Sequence, residues 1–111
     1  MFFNNVSNEK LYGIYKSCGV LLNLSELEAF GLTVAECLCA GIPAIVNKKS
    51  ALYEFCKYHD EVIAIDEIED YKKMAGLIKS LAGIKVFSSV NEYSFEHVAE
   101  KILSVYKELL A

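Results

Sequence analysis

The chain has a single proline, Pro43, and only two histidines. No apolar run approaches the roughly 20 residues that span a bilayer. Met1-Phe-Phe is followed at once by Asn4-Asn5, which is not a signal-peptide pattern. No spanning segment and no secretory leader is expected, and the expected location is cytoplasmic. Basic residues form no cluster beyond pairs such as Lys48-Lys49, and the net charge is −4. A chain without a basic patch is a poor partner for nucleic acid. The four cysteines make no framework. Cys37 and Cys39 are two apart on a predicted helix, so they point roughly 200° apart and cannot jointly grip a metal. Cys18 and Cys56 stand alone on apolar stripes. All four read as buried free thiols of a reducing compartment. His59 sits in Tyr58-His-Asp-Glu61, a polar surface turn, and His97 lies on the last helix. Neither has a nucleophile arrangement or a ligand-spaced partner, so no metal is expected.

What remains is a short, apolar chain. With 111 residues there is one domain at most. Hydrophobic residues make up 54% and the mean hydropathy is +0.29, so part of the apolar surface is expected to pack against groups outside this sequence. Helical and strand signals alternate. Ser7 is placed to cap a helix over 8–18, with Leu11, Ile14, Tyr15 and Cys18 on one face and Gly19 at its end. Strand 20–24 follows, then helix 32–40, strand 44–47, a short helix at 50–57 and strand 62–65. Asp66 and Glu69 read as the cap of a helix carrying Ile68, Tyr71, Met74, Ile78 and Leu81. Residues 84–93 look irregular. Ser94 opens a last helix with Phe95, Val98, Ile102, Val105 and Leu109 in register. Strands separated by helices imply right-handed crossovers and a parallel sheet covered on both faces. The expected fold is therefore α/β, a three-layer Rossmann-like arrangement whose ligand sits outside the carboxyl ends of the strands.

The most informative stretch is Ser25-Glu-Leu-Glu-Ala-Phe-Gly-Leu-Thr-Val-Ala-Glu36. It sets Glu28 and Glu36 eight positions apart around a Phe30-Gly31 hinge. The Gly19–Leu24 strand precedes it. A helix stopped by Gly41 follows, with Pro43 just beyond. A strand, a tight turn and a helix N-terminus suit a phosphorylated ligand, because the amides of Gly31, Leu32 and Thr33 would face it with the positive end of the helix dipole. A bland alternative stands beside this. Ser25-x-x-Glu28 and Thr33-x-x-Glu36 both fit capping boxes, of which Thr33 is the better N-cap.

In this context the pair resembles the donor site of the GT-B fold glycosyltransferases, particularly the retaining family 4 with its Glu-x7-Glu motif. The resemblance extends to Val6-Ser-Asn-Glu-Lys-Leu-Tyr12, to Glu36-Cys-Leu-Cys-Ala-Gly-Ile-Pro-Ala-Ile-Val46, to Ala51-Leu-Tyr-Glu54 and to Tyr93-Ser-Phe-Glu-His-Val-Ala99. It implies that Glu36 accepts hydrogen bonds from the donor ribose. Glu28 would be the catalytic-site carboxylate holding hydroxyls of the transferred sugar. The backbone from Ala29 through Phe30 and Gly31 to Leu32 would approach the sugar and distal phosphate. The donor would be a nucleotide-diphosphate sugar, used without a cofactor or metal.

The resemblance is also incomplete. The family's first two strand–helix units of this domain, with their Gly-Arg-Leu strand end and phosphate-clamping lysine, have no counterpart before Phe2. Ala29 and Ala51 stand where the family usually has glycine. The expectation is a truncated half of a C-terminal donor domain, with the acceptor domain absent and the chain inactive alone. It would belong to an enzyme transferring a hexose, with retention, to a glycan or lipid-linked acceptor, peripheral to a membrane in its full form. The missing half, or self-association through an open sheet edge, would supply its partner. Two rivals are a stand-alone nucleotide-sugar-binding or assembly module without catalysis, and a degenerate structural remnant.

Overall fold

Three short apolar runs become strands and the segments between them become helices, in a computed structural model that describes residues 2–86 and 95–111. The order is α1 (Asn8–Ser17), β1 (Leu21–Asn23), α2 (Leu32–Cys39), β2 (Ala44–Asn47), a 3₁₀ helix (Ala51–Lys57), β3 (Val62–Ile65), α3 (Tyr71–Leu81) and α4 (Phe95–Leu110). The sheet runs β1-β2-β3 and is parallel throughout. Leu21 pairs with Ala44 and Ala44 with Val62. β2 is the central strand and is buried along its whole length, as expected of a strand covered on both faces.

Alternation along the strands makes two cores. Ala44 and Val46 face Val34, Ala35 and Leu38 of α2 and Leu52 and Phe55 of the 3₁₀ helix. Ile45 and Ile65 face Met74 and Leu81 of α3 on the opposite side. Each fully buried Leu or Ile of this kind is worth ~1.5–3 kcal/mol. The result is the three-layer, parallel α/β arrangement read from the sequence. Among the described residues, no helix is long and apolar enough to cross a membrane.

Chain punctuation decides where elements stop. α2 ends in a Schellman turn: the Gly41 amide donates to the Leu38 carbonyl (3.0 Å) and the Ile42 amide to the Cys37 carbonyl (2.9 Å). Gly41 takes φ +84°, the left-handed conformation this turn requires. Gly19 does not play the matching part for α1, which ends at Cys18 with extended backbone.

Other expectations also need correction. The α3 cap is Asp70, whose carboxylate accepts the Lys73 amide at 3.0 Å. Asp66 pairs instead with Lys48 at 3.2 Å, so the chain turns once more before the helix starts. Tyr71, expected in the core, is consequently 74% exposed. His59 is 3% exposed rather than on a surface turn. Its amide donates to the Phe55 carbonyl (2.9 Å) and its carbonyl accepts the Val62 amide (3.1 Å), which folds the ring in against Phe55. The cysteines are free, but only Cys37 is buried; Cys56 is half-buried, and Cys18 and Cys39 are exposed. The 200° spacing explains the split on α2, since burying Cys37 turns Cys39 outward. α4 keeps its helical spacing, yet Val98, Ile102, Val105 and Leu109 are all exposed. Residues 87–93 of the irregular segment, and Ser94 as the start of the last helix, lie outside the described residues.

Candidate functional site

The turn leaving β1 is built from asparagine and serine side chains. Asn23 Oδ1 accepts the Ser25 amide (3.2 Å), and Ser25 Oγ donates to the Leu27 carbonyl (2.9 Å). From the neighbouring strand, buried Asn47 donates through Nδ2 to the Leu24 carbonyl (3.2 Å) and accepts the Lys49 amide at Oδ1 (2.9 Å). One side chain thus ties the carboxyl ends of β1 and β2 together.

Gly31 closes the turn with φ +83° and forms the N-cap of α2. A Cβ there would overlap Leu52 Cδ2 and press on the Phe55 ring at 3.1 Å, so position 31 must be glycine on two counts. The Val34 and Ala35 amides donate back to the Gly31 carbonyl (3.0 and 3.1 Å). The amides of Gly31, Leu32 and Thr33 are the ones an α-helix cannot satisfy internally, and they carry the positive end of its dipole. Thr33 is therefore not the cap. Neither of the two Ser/Thr-x-x-Glu pairs forms a capping box, because Ser25 is spent on the turn and α2 starts at a residue without a side chain.

A cavity of ≈ 370 Å³ lies between α1 and α2, lined by Asn8, Leu11, Tyr12 and Tyr15 from one helix and Leu32, Ala35, Glu36 and Cys39 from the other, with Phe30 at the turn. Glu36 is exposed on this wall, and Tyr15 donates its hydroxyl to Glu36 Oε2 at 3.0 Å. Burial first, then the bond to Glu36 and its negative charge, push the Tyr15 phenol up to about 12, so it remains a donor across the physiological range. Burial likewise pushes the Cys37 thiol up to about 12, with Cys18 and Glu36 adding to it. Cys37 is thus an inert core thiol.

A second cavity, ≈ 310 Å³, lies on the other side of Phe30 and is lined by Ala29, Ala51, Glu54, Phe55 and Tyr58. Phe30 meets Phe55 edge-on there, with centroids 6.1 Å apart, and Glu54 pairs with Lys57 at 2.8 Å. A third, ≈ 220 Å³, carries Glu26, Asp66, Glu67 and Glu69 with Lys49. Its acidic excess repels a diphosphate.

Of the residues singled out from sequence, Phe30, Leu32 and Glu36 meet in the first cavity and Ala29 joins Phe30 in the second. Gly31 is buried beneath them. Glu28 is half-buried in the turn, lines neither cavity, and has no hydrogen-bond or ion-pair partner among the described residues. Sequence reasoning missed Tyr15, which it placed on a core-facing stripe, and Asn47, which it took as the end of an apolar strand. Tyr12 and Tyr15, three apart on the helix before β1, were the available signal.

Residues 1–82 match the family model of the glycosyl transferases group 1. The chain belongs to this family. An uncharacterized glycosyltransferase of Methanocaldococcus jannaschii is 26% identical over 116 residues, covering 96% of this chain and 30% of the relative. The chain thus spans under a third of that protein's length. No solved structure matches it. The family match covers α1, the turn, α2 and all three cavities, so the group 1 region contains the whole constellation around Glu36.

Proposed function

We propose that this group 1 glycosyl transferase region binds a nucleotide-diphosphate sugar and serves hexose transfer, with retention, to a glycan or lipid-linked acceptor. The observation that carries the reading is the exposed carboxylate of Glu36 beside an unsatisfied helix N-terminus, at the mouth of a cavity with apolar and aromatic walls. Each part matches one part of the donor. The cavity suits a nucleoside, Glu36 suits ribose hydroxyls as an acceptor-only group, and the amides of Gly31, Leu32 and Thr33 suit the diphosphate. Glu28, unpartnered in the adjoining turn, is the carboxylate left for the transferred sugar, with Ala29 and Phe30 as its backbone wall. Transfer would need the departing diphosphate stabilised electrostatically. The chain contains no arginine, all eleven of its basic residues being lysine, and the helix N-terminus would contribute to that step.

Calorimetric titration with UDP and GDP tests the reading. Saturable binding of one of them is expected, weakened by Glu36→Gln by about tenfold or more, the order of a lost hydrogen bond to a charged group. No binding of either nucleotide at millimolar concentration sinks it.

A second reading has its own observation. β1 is an edge strand and its Leu22 is 43% exposed, which suits assembly with a further strand or chain. Sedimentation over a range of concentrations would show that association.

A further inference from the structure

We infer that Tyr15 is a positioning residue for Glu36: its hydroxyl holds Oε2 and leaves Oε1 as the acceptor for a ligand hydroxyl. The inference rests on the nucleotide-sugar reading of the cavity and adds to it a residue on a different helix.

Glu36 is exposed, and a free glutamate on a helix surface samples several rotamers. The structure shows it in one arrangement, with the Tyr15 hydroxyl 3.0 Å from Oε2. Both side chains line the same cavity, so the contact lies where a ligand would sit rather than behind it. A carboxylate offers about four lone-pair sites on two oxygens. One donor on Oε2 does not exhaust it, but it does fix which oxygen and which orientation remain. The Tyr15 phenol keeps its proton at neutral pH because burial and the neighbouring carboxylate both oppose ionisation, so this donor is present whenever a ligand arrives. A vicinal diol then meets a carboxylate already turned toward it, and the cost of ordering that side chain is met before binding. The alternative is a tether joining α1 to α2 with no bearing on the ligand. That alternative predicts a change in stability and none in the balance between ligands that have ribose and ligands that do not.

The experiment compares the whole chain with Tyr15→Phe, Glu36→Gln and the double variant, using UDP, GDP and inorganic pyrophosphate as probes. Phenylalanine keeps the ring on the cavity wall and removes only the hydroxyl. The expected result is a loss of about three- to tenfold in nucleoside diphosphate affinity, the scale of an ordinary net hydrogen bond because Tyr15 acts on the ligand only through Glu36, with pyrophosphate affinity unchanged. In the Glu36→Gln background, Tyr15→Phe should add nothing. Equal or tighter nucleotide binding by Tyr15→Phe overturns the proposal, as does an equal loss for pyrophosphate or full additivity with Glu36→Gln. If the parent chain binds neither nucleotide, the donor-site reading fails and this inference falls with it. Should Tyr15→Phe lose its fold, Glu36→Asp carries the test. Its shorter arm withdraws the carboxylate from Tyr15 while keeping the charge, and nucleotide affinity equal to the parent's overturns the proposal.

Discussion

The two helices that wall the main cavity are held in opposite ways. α2 buries Val34, Ala35, Cys37 and Leu38 against the sheet, and its N-terminus is wedged under Leu52 and Phe55. α1 buries no residue at all. It packs against α2, and its described side-chain bond to that helix is Tyr15 to Glu36. The cavity therefore has one wall that is part of the core and one that rests against it. A ligand bound between them would order the loose wall, which is how a site comes to draw on low-stability elements of a fold.

Breaking the fixed wall should cost most. Leu38→Ala removes a side chain that is 2% exposed, and a loss of about 2–5 kcal/mol is expected for a buried leucine. Leu11→Ala on α1 removes a half-buried one and should cost less than about 1 kcal/mol, since little apolar area returns to water. Urea unfolding of the two variants measures both, and equal losses would abolish the contrast. Gly31→Ala should follow closely. Its left-handed φ costs a non-glycine residue about 1–2 kcal/mol, and the overlap with Leu52 adds roughly 1–3 kcal/mol of overpacking. The same variant should also displace the first-turn amides, so nucleotide binding should fall further than stability alone explains.

The sequence showed the fixed wall better than the loose one. Strands 44–47 and 62–65 were legible because continuous apolar runs are what a strand buried on both faces looks like. Gly41 was legible because a left-handed stop needs glycine. In the sequence Asp66 reads as the cap of α3, yet it pairs with Lys48 and the helix starts one turn later at Asp70. His59 looked solvated because its neighbours are polar, whereas burial follows from the backbone turning it toward Phe55. Within the candidate site, Glu36 is singled out by the family resemblance around its spacing from Glu28, and it lines the first cavity. Tyr15 could not be singled out, since its partner is 21 residues away and the pairing exists only once α1 lies on α2. Glu28 remains what it was in the sequence, an acidic residue in the turn whose role rests on the proposal above.

Raising the pH sharpens the comparison chemically. Cys37 on the fixed wall and Tyr15 on the loose one are both shifted upward to about 12, from 9.0 and 10.0. A group that holds its proton more tightly when folded contributes stability that is complete below its ordinary pKa and lost as pH rises through the folded value. Urea midpoints should therefore be flat up to about pH 9 and fall between there and pH 12. Cys37→Ala should reduce the onset of that fall without abolishing it, since burial also raises the Cys39 and Cys56 thiols, and Tyr15→Phe should reduce only its upper part. A midpoint that rises over this range would contradict both assignments. In the same proteins, an alkylating reagent at pH 8 should modify exposed Cys18 and spare Cys37.

The smallest effect tests the loose wall directly. Ser7 caps α1, its Oγ accepting the Lys10 amide at 3.3 Å. Ser7→Ala should cost that helix about 1 kcal/mol. In an element bound into the core, such a loss would appear in full in global unfolding. α1 is tied in by exposed contacts, so it should open without the sheet, and the loss should appear as faster hydrogen exchange confined to the amides of 11–17. The urea midpoint should scarcely move. Adding a nucleotide that binds the cavity should restore α1 protection, because ligand bound between the helices closes the opening that Ser7→Ala promotes. A uniform loss of protection across α1, α2 and the strands would mean that the two walls are a single cooperative unit.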